Sequence, residues 1–449
     1  MKCIEDEIPF DLPDGWEWER LGNVSIIARG GSPRPIDKFI TDDEDGVNWI
    51  KIGDTEKDGK YIRQTKEKIK SEGLSKTRYV KSGDFLLTNS MSFGRPYILK
   101  TDGCIHDGWL VIGNIETVFN QDFLYYALSS GFMFTTLSLL AAGSTVKNLK
   151  TDTVRSVMFP IPPMDAQMRI AKHLEDLINI VDTINSNKKE LAQIIGNVKS
   201  KILDLAIHGK LVPQNPNDEP ASVLLERIRE EKEELIKQGK IKRDKKEFVI
   251  FKGDDNSYYE KIGNKTENID DQIPFDLPQG WIWCRGYSCF DGMESTKPHG
   301  DFFDYIDIDA IDNQNHCIKE AKHLPVTKAP SRASRAVKNG SVLFSLVRPY
   351  LENIALVDEK YCNCIASTGF YICNSNGMLS PKFMYFLMIS GYVVTGLNRF
   401  MKGDNSPSIC KDNIENWLYP VPPIKEQEVV SLKLKSILST IKNIEKMLN

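Results

Sequence analysis

The sequence predicts an α+β chain written twice: two globular domains of one design, related by a pseudo-twofold and separated by long paired, coiled-coil-like helices. The first observation is an internal repeat. Ile8-Pro9-Phe10-Asp11-Leu12-Pro13, then Gly15-Trp16 and Trp18, recurs as Ile273-Pro274-Phe275-Asp276-Leu277-Pro278, then Gly280-Trp281 and Trp283, an offset of 265. Phe159-Pro160-Ile161-Pro162-Pro163 and Gln167 recur as Tyr419-Pro420-Val421-Pro422-Pro423 and Gln427, an offset of 260. Phe123, Tyr125, Ser130, Gly131, Gly143 and Asp152 match Phe383, Tyr385, Ser390, Gly391, Gly403 and Asp412 at the same offset of 260. Between these shared ends the interiors diverge, so one frame carries two contents.

The second observation is a heptad seam after each Pro-Pro. Leu174, Leu177, Val181, Ile184, Leu191, Ile195, Val198 and Ile202 alternate in steps of four and three, interrupted at Lys188; Leu434, Ile437, Ile441 and Ile444 repeat the pattern. Such spacing favours helix–helix pairing, and an amphipathic helix lying on its own domain is the alternative. Prolines at the helix entry fit the first turn. A first helix of ~45 residues spans ~65 Å, about two turns of duplex. The second has room for about half that seam before Asn449.

The third observation is the order of elements within each copy. Strand-like runs at 48–52, 84–88, 97–99 and 110–112 precede a helical stretch near 122–140. Runs at 305–308, 341–345 and 354–357 precede one near 381–400. Strands first and a helix late indicate mixed α+β domains. The divisions expected are a globular domain over 1–160, a spacer helix over 161–211, a second globular domain over 271–421 and a terminal helix over 422–449. Residues 212–270 join them through a Pro- and Asn-rich loop, a charged helix from Ala221 to Gln238 and, from Lys240 to Asp270, a mobile connector.

Composition narrows the function classes. With 41% hydrophobic and 27% charged residues the chain reads as globular. No run approaches the ~18 to 20 apolar residues of a membrane span. The acidic start has no signal-peptide core, and nine irregularly spaced cysteines suit free thiols, so the expectation is cytoplasmic. A net charge of −4 argues against bulk coating of nucleic acid. Basic clusters at 60–100 and 319–348 nevertheless supply local phosphate-gripping faces.

Several loops carry groups suited to DNA. Arg29 and Arg34 flank a Gly-Gly-Ser-Pro turn; Arg95 and Tyr97, and Arg348 and Tyr350, stand in Arg-Pro-Tyr triplets. Ser144 and Lys147 lie in a Gly-Ser-Thr loop whose counterpart follows Lys402; Lys51, Ser90, Arg332 and Arg335 complete the candidates. Arg can bridge guanine O6 and N7, while Ser, Thr and Lys hold phosphates. An ordinary surface turn accounts for each loop equally well.

Catalytic patterns are missing. There is no Gly-x-x-x-x-Gly-Lys-Ser/Thr, no Gly-rich strand-to-helix turn and no Asp/Asn/Ser-Pro-Pro-aromatic tetrapeptide. Cys362, Cys364, Cys373 and Cys410 fit no common zinc spacing, and His106-Asp107 reads as structural. No catalytic, cofactor or metal residue is assigned.

The ordered frame resembles the specificity subunits of type I restriction–modification systems. The residues that carry the resemblance are Leu-Pro-x-Gly-Trp, Trp49-Ile50-Lys51-Ile52-Gly53-Asp54, Lys81-Ser82-Gly83-Asp84, Gly-Ser-Thr, Pro-x-Pro-Pro with Gln167, and Leu205 to Pro213. The resemblance implies two target-recognition domains, each reading half of a split site on double-stranded DNA. It implies helices that set the spacing and dock two methyltransferase subunits, which methylate adenine at N6, with ATP-dependent restriction subunits joining. S-adenosylmethionine, ATP and Mg then belong to those partners. A shortened subunit needing a second copy, a self-sufficient methyltransferase or nuclease, and a duplicated scaffold that never touches DNA are the competing readings.

Overall fold

The computed structural model describes residues 5–56, 59–89, 93–141, 148–240 and 248–448. The chain divides into two compact units, Met1–Ser186 and Asn187–Asn449.

In the first unit the two ends of the repeated frame meet. Glu17–Arg20 pairs antiparallel with Met158–Ile161, Trp18 opposite Pro160. Between them lie two five-stranded sheets. One runs Ile40–Thr41, Glu67–Ile69, Val47–Ile50, Gly103–Ile105, Arg78–Val80; the other runs Ile26–Arg29, Trp109–Gly113, Phe85–Thr88, Pro96–Leu99, Tyr61–Ile62. Phe85–Thr88 and Trp109–Gly113 are buried on both faces and apolar except at Thr88. Phe85, Leu87, Leu110 and Ile112 enter the core beneath the helices, while Leu86, Trp109 and Val111 face a second cluster with Ile50, Tyr97 and Ile105.

The second unit repeats the plan with its own contents. Ile282–Arg285 pairs with Leu418–Val421, Trp283 opposite Pro420. Two four-stranded sheets follow: Phe290–Asp291, Phe370–Ser375, Val342–Ser345, Ile354–Leu356, and Lys322–Pro325, Phe302–Ile306, Ile365–Ser367, Ala333–Ala336.

The helical stretch expected near 122–140 is two helices, Gln121–Ser129 and Gly131–Leu140, and that near 381–400 is Pro381–Met388 and Gly391–Asn398. The reason is a serine in the same place of each copy. The Ser130 hydroxyl accepts from Met133 N at 3.2 Å and that of Ser390 from Val393 N at 3.4 Å, so each starts a new helix as its N-cap. Among the described residues no single helix is long and apolar enough to cross a membrane. The bent pair at Gln121–Leu140 that meets the length and composition buries Phe123, Leu124, Leu128, Met133 and Leu137 in its own domain.

One buried amide locks each domain to the helix that follows it. Gln167 Nε2 donates to Val118 O and Pro162 O, both at 2.9 Å, and its Oε1 accepts from Asn120 N at 2.8 Å. Gln427 Nε2 donates to Met378 O at 2.8 Å and Pro422 O at 3.0 Å, and its Oε1 accepts from Ser380 N at 2.6 Å. The repeated glutamine therefore has one structural job done twice.

The expected mobile connector is instead folded over its described part. Phe248–Lys252, Tyr258–Ile262 and Lys265–Asn268 form a three-stranded antiparallel sheet; residues 241–247 lie outside the described residues. Asn256 takes a left-handed φ of 67° at the first turn, as Asn can. Glu260, in the middle strand, accepts both prongs of Arg285 at 2.8 and 3.0 Å. The many charges of this segment hide one buried, paired carboxylate.

The spacer helix runs Met164–Ile207, 44 residues, and the terminal helix Ile424–Leu448, 25 residues. The expected continuous seam is corrected. Ile195, Leu434 and Ile441 are buried and Leu174, Ile202 and Ile437 half-buried, whereas Leu177, Val181, Ile184, Leu191, Val198 and Ile444 are exposed. The lengths explain much of this: at 1.5 Å per residue the terminal helix offers about 38 Å, the spacer helix about 66 Å. Within the second unit Lys199 Nζ does bridge to Glu445 at 2.7 Å. Val430 and Leu434 join Phe383 and Leu387 in the domain core, as an amphipathic helix on its own domain would.

Candidate nucleic-acid interface

The first unit gathers part of its candidate set around Asp107. The Ser32 hydroxyl donates to Asp107 Oδ1 at 2.9 Å, Arg29 Nε to Asp107 O at 3.0 Å, and the exposed Arg34 guanidinium lies 3.7 Å from Asp107 Oδ2. Asn89 Nδ2 donates to the same backbone oxygen at 2.7 Å. Burial pulls upward on the Asp107 pKa, but the hydrogen bond from the Ser32 hydroxyl, with the Arg29 guanidinium among the lesser causes, outweighs it and holds the carboxyl below its usual range. Beside this cluster opens a cleft of about 680 Å³ lined by Pro33, Arg34, Ile36, Trp49, Lys51 and His106. Burial lowers the His106 pKa, and its Nδ1 accepts from Gly108 N at 2.6 Å, so the ring is a neutral wall. Lys51 is half-buried and ion-paired with Glu67.

Arg95 and Tyr97 do not form an exposed tip. Tyr97 is 2% exposed, sits in the strand Pro96–Leu99 and meets Trp109 edge-on at 5.7 Å. The half-buried Arg95 lies over the Tyr97 ring at 5.4 Å. Gly94 takes φ +70° and turns the chain early, so that Pro96 already pairs with Leu87. Ser90, Ser144 and Lys147 lie outside the described residues.

The second Arg-Pro-Tyr is built differently. Arg348 itself is left-handed, φ 48° and ψ 57°, and so is Glu352, φ 54° and ψ 37°; between them Pro349–Leu351 makes one 3-10 turn. A left-handed arginine costs about 1 to 2 kcal/mol, so the surroundings must hold it. Arg348 N donates to Pro407 O at 2.7 Å, its guanidinium to Asn405 O at 2.8 Å, and Val347 bridges to Ser408. Ser408 and Lys402 exchange backbone hydrogen bonds at 3.0 Å. Arg348, Tyr350 and Lys402 are thus brought onto one exposed tip. Arg332 is exposed and joined to the same region through the backbone: its carbonyl accepts from Thr368 N, and Gly369 O accepts from Leu346 N. Arg335, on the strand Ala333–Ala336, is half-buried.

The residues that brace this tip do not stand out in the sequence. Asn313 Nδ2 donates to Leu351 O at 2.9 Å, His316 Nδ1 meets Glu352 O at 3.2 Å, and the Tyr385 hydroxyl donates to His316 O at 3.1 Å. The run Asp312-Asn313-Gln314-Asn315-His316 is a turn signal that could have marked them. Burial lowers the His316 pKa against the pull of Glu352. Among the described residues no group of three or more His, Cys, Asp or Glu is placed to hold a metal ion.

Comparison with known proteins shows what this arrangement is similar to. Residues 13–193 match the type I restriction modification DNA specificity domain. The chain is 24% identical over 505 residues to the type I restriction enzyme EcoAI specificity subunit of Escherichia coli, covering 98% of this chain and 80% of that one. It is 26% identical over 525 residues to the EcoEI specificity subunit of the same species, covering 100% and 80%. Among solved structures, the HsdS subunit from Thermoanaerobacter tengcongensis shares the fold at a TM-score of 0.58 and 17% identity, covering 99% of this chain and 94% of that one. A chain from a type I R-M system assembly shares it at 0.61 and 17%, covering 98% and 94%. With the duplicated latch and the strand pair that closes each domain, these likenesses extend over nearly the whole length, and the chain is similar throughout to type I restriction-enzyme specificity subunits.

Proposed function

We propose that this chain is the DNA-reading, non-catalytic specificity subunit of a type I restriction–modification complex, each domain reading one half of a bipartite site. The observation that carries the reading is the duplicated frame with unlike tips. Two domains share the same closing strands and buried glutamine, yet the Arg-Pro-Tyr triplet is a core strand in one and a strained, exposed turn in the other. A frame repeated for assembly and loops varied for recognition is what two different half-sites require.

In this reading the exposed apolar stripe of Leu177, Val181 and Ile184 is where methyltransferase subunits dock, with restriction subunits joining them. S-adenosylmethionine, ATP and Mg are carried by those partners, and the target adenine is flipped out into the methyltransferase. The chain's own task is to position the enzyme on the duplex.

The experiment is to map methylated adenines genome-wide in cells with and without the gene, then to measure methylation of the mapped site by the reconstituted complex. Arg348→Ala should weaken methylation by about fivefold or more, since a bidentate base contact contributes about 1 to 3 kcal/mol of discrimination. A gene-independent methylation map, or an unchanged rate in the variant, would count against this assignment. A duplicated scaffold that never meets DNA would leave both measurements flat.

A further inference from the structure

The two helices of the second unit enclose a groove that the recognition domain also reaches. It has a volume of about 390 Å³ and lies between the spacer helix beyond Asn187 and the last turns of the terminal helix, closed on one side by Gln314 and Asn315. Lys188 and Lys199 line it from the spacer helix, Lys442 and Lys446 from the terminal helix, against the one carboxylate of Glu445 among its lining residues. Glu445 is already taken by Lys199, at 2.7 and 2.8 Å. Lys188, Lys442 and Lys446 are exposed and have no ion-pair partner among the described residues. Helix geometry explains the alignment. Lys188, Ala192, Ile195 and Lys199 follow one face, and Lys442, Glu445 and Lys446 another.

The groove is continuous with the strained tip. Asp312 fixes its own loop by accepting from Gln314 N at 3.0 Å, Asn315 N at 3.1 Å and Asn315 Nδ2 at 2.9 Å. That loop presents Gln314 and Asn315 to the groove and, through Asn313 and His316, holds Leu351 and Glu352 of the tip. One loop thus has a face on each.

We propose that this cationic groove is a second phosphate-binding surface: it grips the backbone of the duplex beyond the bases met by the Arg348 tip, without reading sequence. The inference rests on the DNA-reading assignment above. Lys188 and Lys199 lie eleven residues apart, about 16 Å along the axis at 1.5 Å per residue. That is about five phosphates of one strand at 3.4 Å per step. An acidic segment of a partner protein is the other polyanion such a groove attracts. The shared loop favours DNA, since whatever occupies the tip approaches the groove in the same encounter.

The test is binding of the full chain to two fluorescent duplexes, one with the mapped site and one of scrambled sequence, titrated with KCl. Lys188→Gln, Lys442→Gln and Lys446→Gln are compared singly and together, with the corresponding Lys→Arg variants and Arg348→Ala. Each phosphate left without its lysine should lower the slope of log K against log salt by about 0.9. The triple glutamine variant should reduce the slope by roughly two to three, equally on both duplexes, at an unchanged melting temperature, while the arginine variants keep the slope. Arg348→Ala should instead reduce preference for the mapped site. A triple variant with wild-type slope and affinity overturns the groove but leaves DNA reading intact if Arg348→Ala still erodes preference. An unchanged slope with loss of methyltransferase binding assigns the groove to an acidic partner and also overturns it. No binding of either duplex by the wild type would remove the underlying assignment as well.

Discussion

Replacing Gln427 with Leu tests whether the repeated glutamine holds the domain to its helix. Its side chain is fully buried and makes three hydrogen bonds, two to carbonyls and one from the Ser380 amide that begins the next helix. Leucine fills similar space but leaves all three backbone groups without that partner. An orphaned buried group costs about 1 to 3 kcal/mol. The carbonyls retain a second lone pair and belong at the low end, and the apolar side chain offsets part of the loss, so about 3 to 4 kcal/mol is expected. For a unit of this size 1 kcal/mol moves the melting temperature by about 2 to 4 °C, which gives a fall of roughly 6 to 16 °C in calorimetry. Gln167→Leu should cost the first unit a similar amount, because its three bonds match. Gln427→Glu sharpens the test. A carboxylate still accepts from Ser380 but meets two carbonyls with no proton to offer, so its folded-state pKa must rise. A raised folded pKa means stability lost as pH increases through it, so this variant should be weaker at about pH 8 than at about pH 5. A Gln427→Leu protein melting within about 2 °C of wild type would refute the latch.

Three further outcomes follow from other interactions. Glu260→Ala should destabilise the second unit by about 3 kcal/mol, since it strips the bidentate partner from a mostly buried Arg285; chemical denaturation with an unshifted midpoint would show that the three-stranded sheet is not anchored there. Arg348→Gly should leave stability unchanged or raise it by about 0.5 to 1 kcal/mol, because glycine relieves the left-handed strain, while DNA affinity falls as in Arg348→Ala; a fall in stability would mean the arginine is held for packing. Glu426 is buried, and burial raises its pKa although Trp281 Nε1 and Gln214 donate to it. With the folded value above the unfolded one, stability declines as pH rises from about 4.5 through the folded value, and Glu426→Gln should flatten that limb of the pH–stability curve.

How much of this is legible in the sequence depends on whether a residue's role is written in repeats or in register. The frame is legible because Trp18 with Pro160 and Trp283 with Pro420 are the same pair at two addresses. The helix breaks at Ser130 and Ser390 are present as Ser-Gly in both copies, but an apolar run on either side masks the N-cap. The folded connector is hidden for a different reason. Composition averages over a segment, and the average of Phe248 to Asn268 is polar, yet one pairing of Glu260 with Arg285 and a strand register are enough to fold it. The seam is legible as a pattern but not as a packed interface, since periodicity states which side of a helix is apolar and says nothing of what covers it.

The Arg-Pro-Tyr triplets carry this furthest. Both follow a buried strand that ends at Thr88 or Ser345; the first runs into the next strand of the same sheet, Pro96–Leu99, and the second precedes its counterpart, Ile354–Leu356. In the first copy the left-handed residue is Gly94, which adopts it without steric cost, and the chain re-enters pairing at Pro96. In the second copy no glycine precedes the arginine, the positive φ falls on Arg348, and pairing resumes only at Ile354. The residues released from pairing, Arg348 to Glu352, become the tip, and the energy stored in Arg348 and Glu352 is held by Pro407, Asn405, Asn313 and His316. The lead-in to the triplet, six residues ending in Gly94 in the first copy and Leu346-Val347 in the second, therefore accompanies the difference between a tyrosine of the core and a tyrosine offered to solvent. Moving that glycine is a route by which one frame can acquire a new reading surface without disturbing the strands that carry it. Val347→Gly tests this directly: if a glycine ahead of Arg348 draws Tyr350 inward, the exposed tip and its site preference should vanish together while the melting temperature holds. Retention of the site preference would show that the loops facing the tip, and not the backbone ahead of it, choose the conformation.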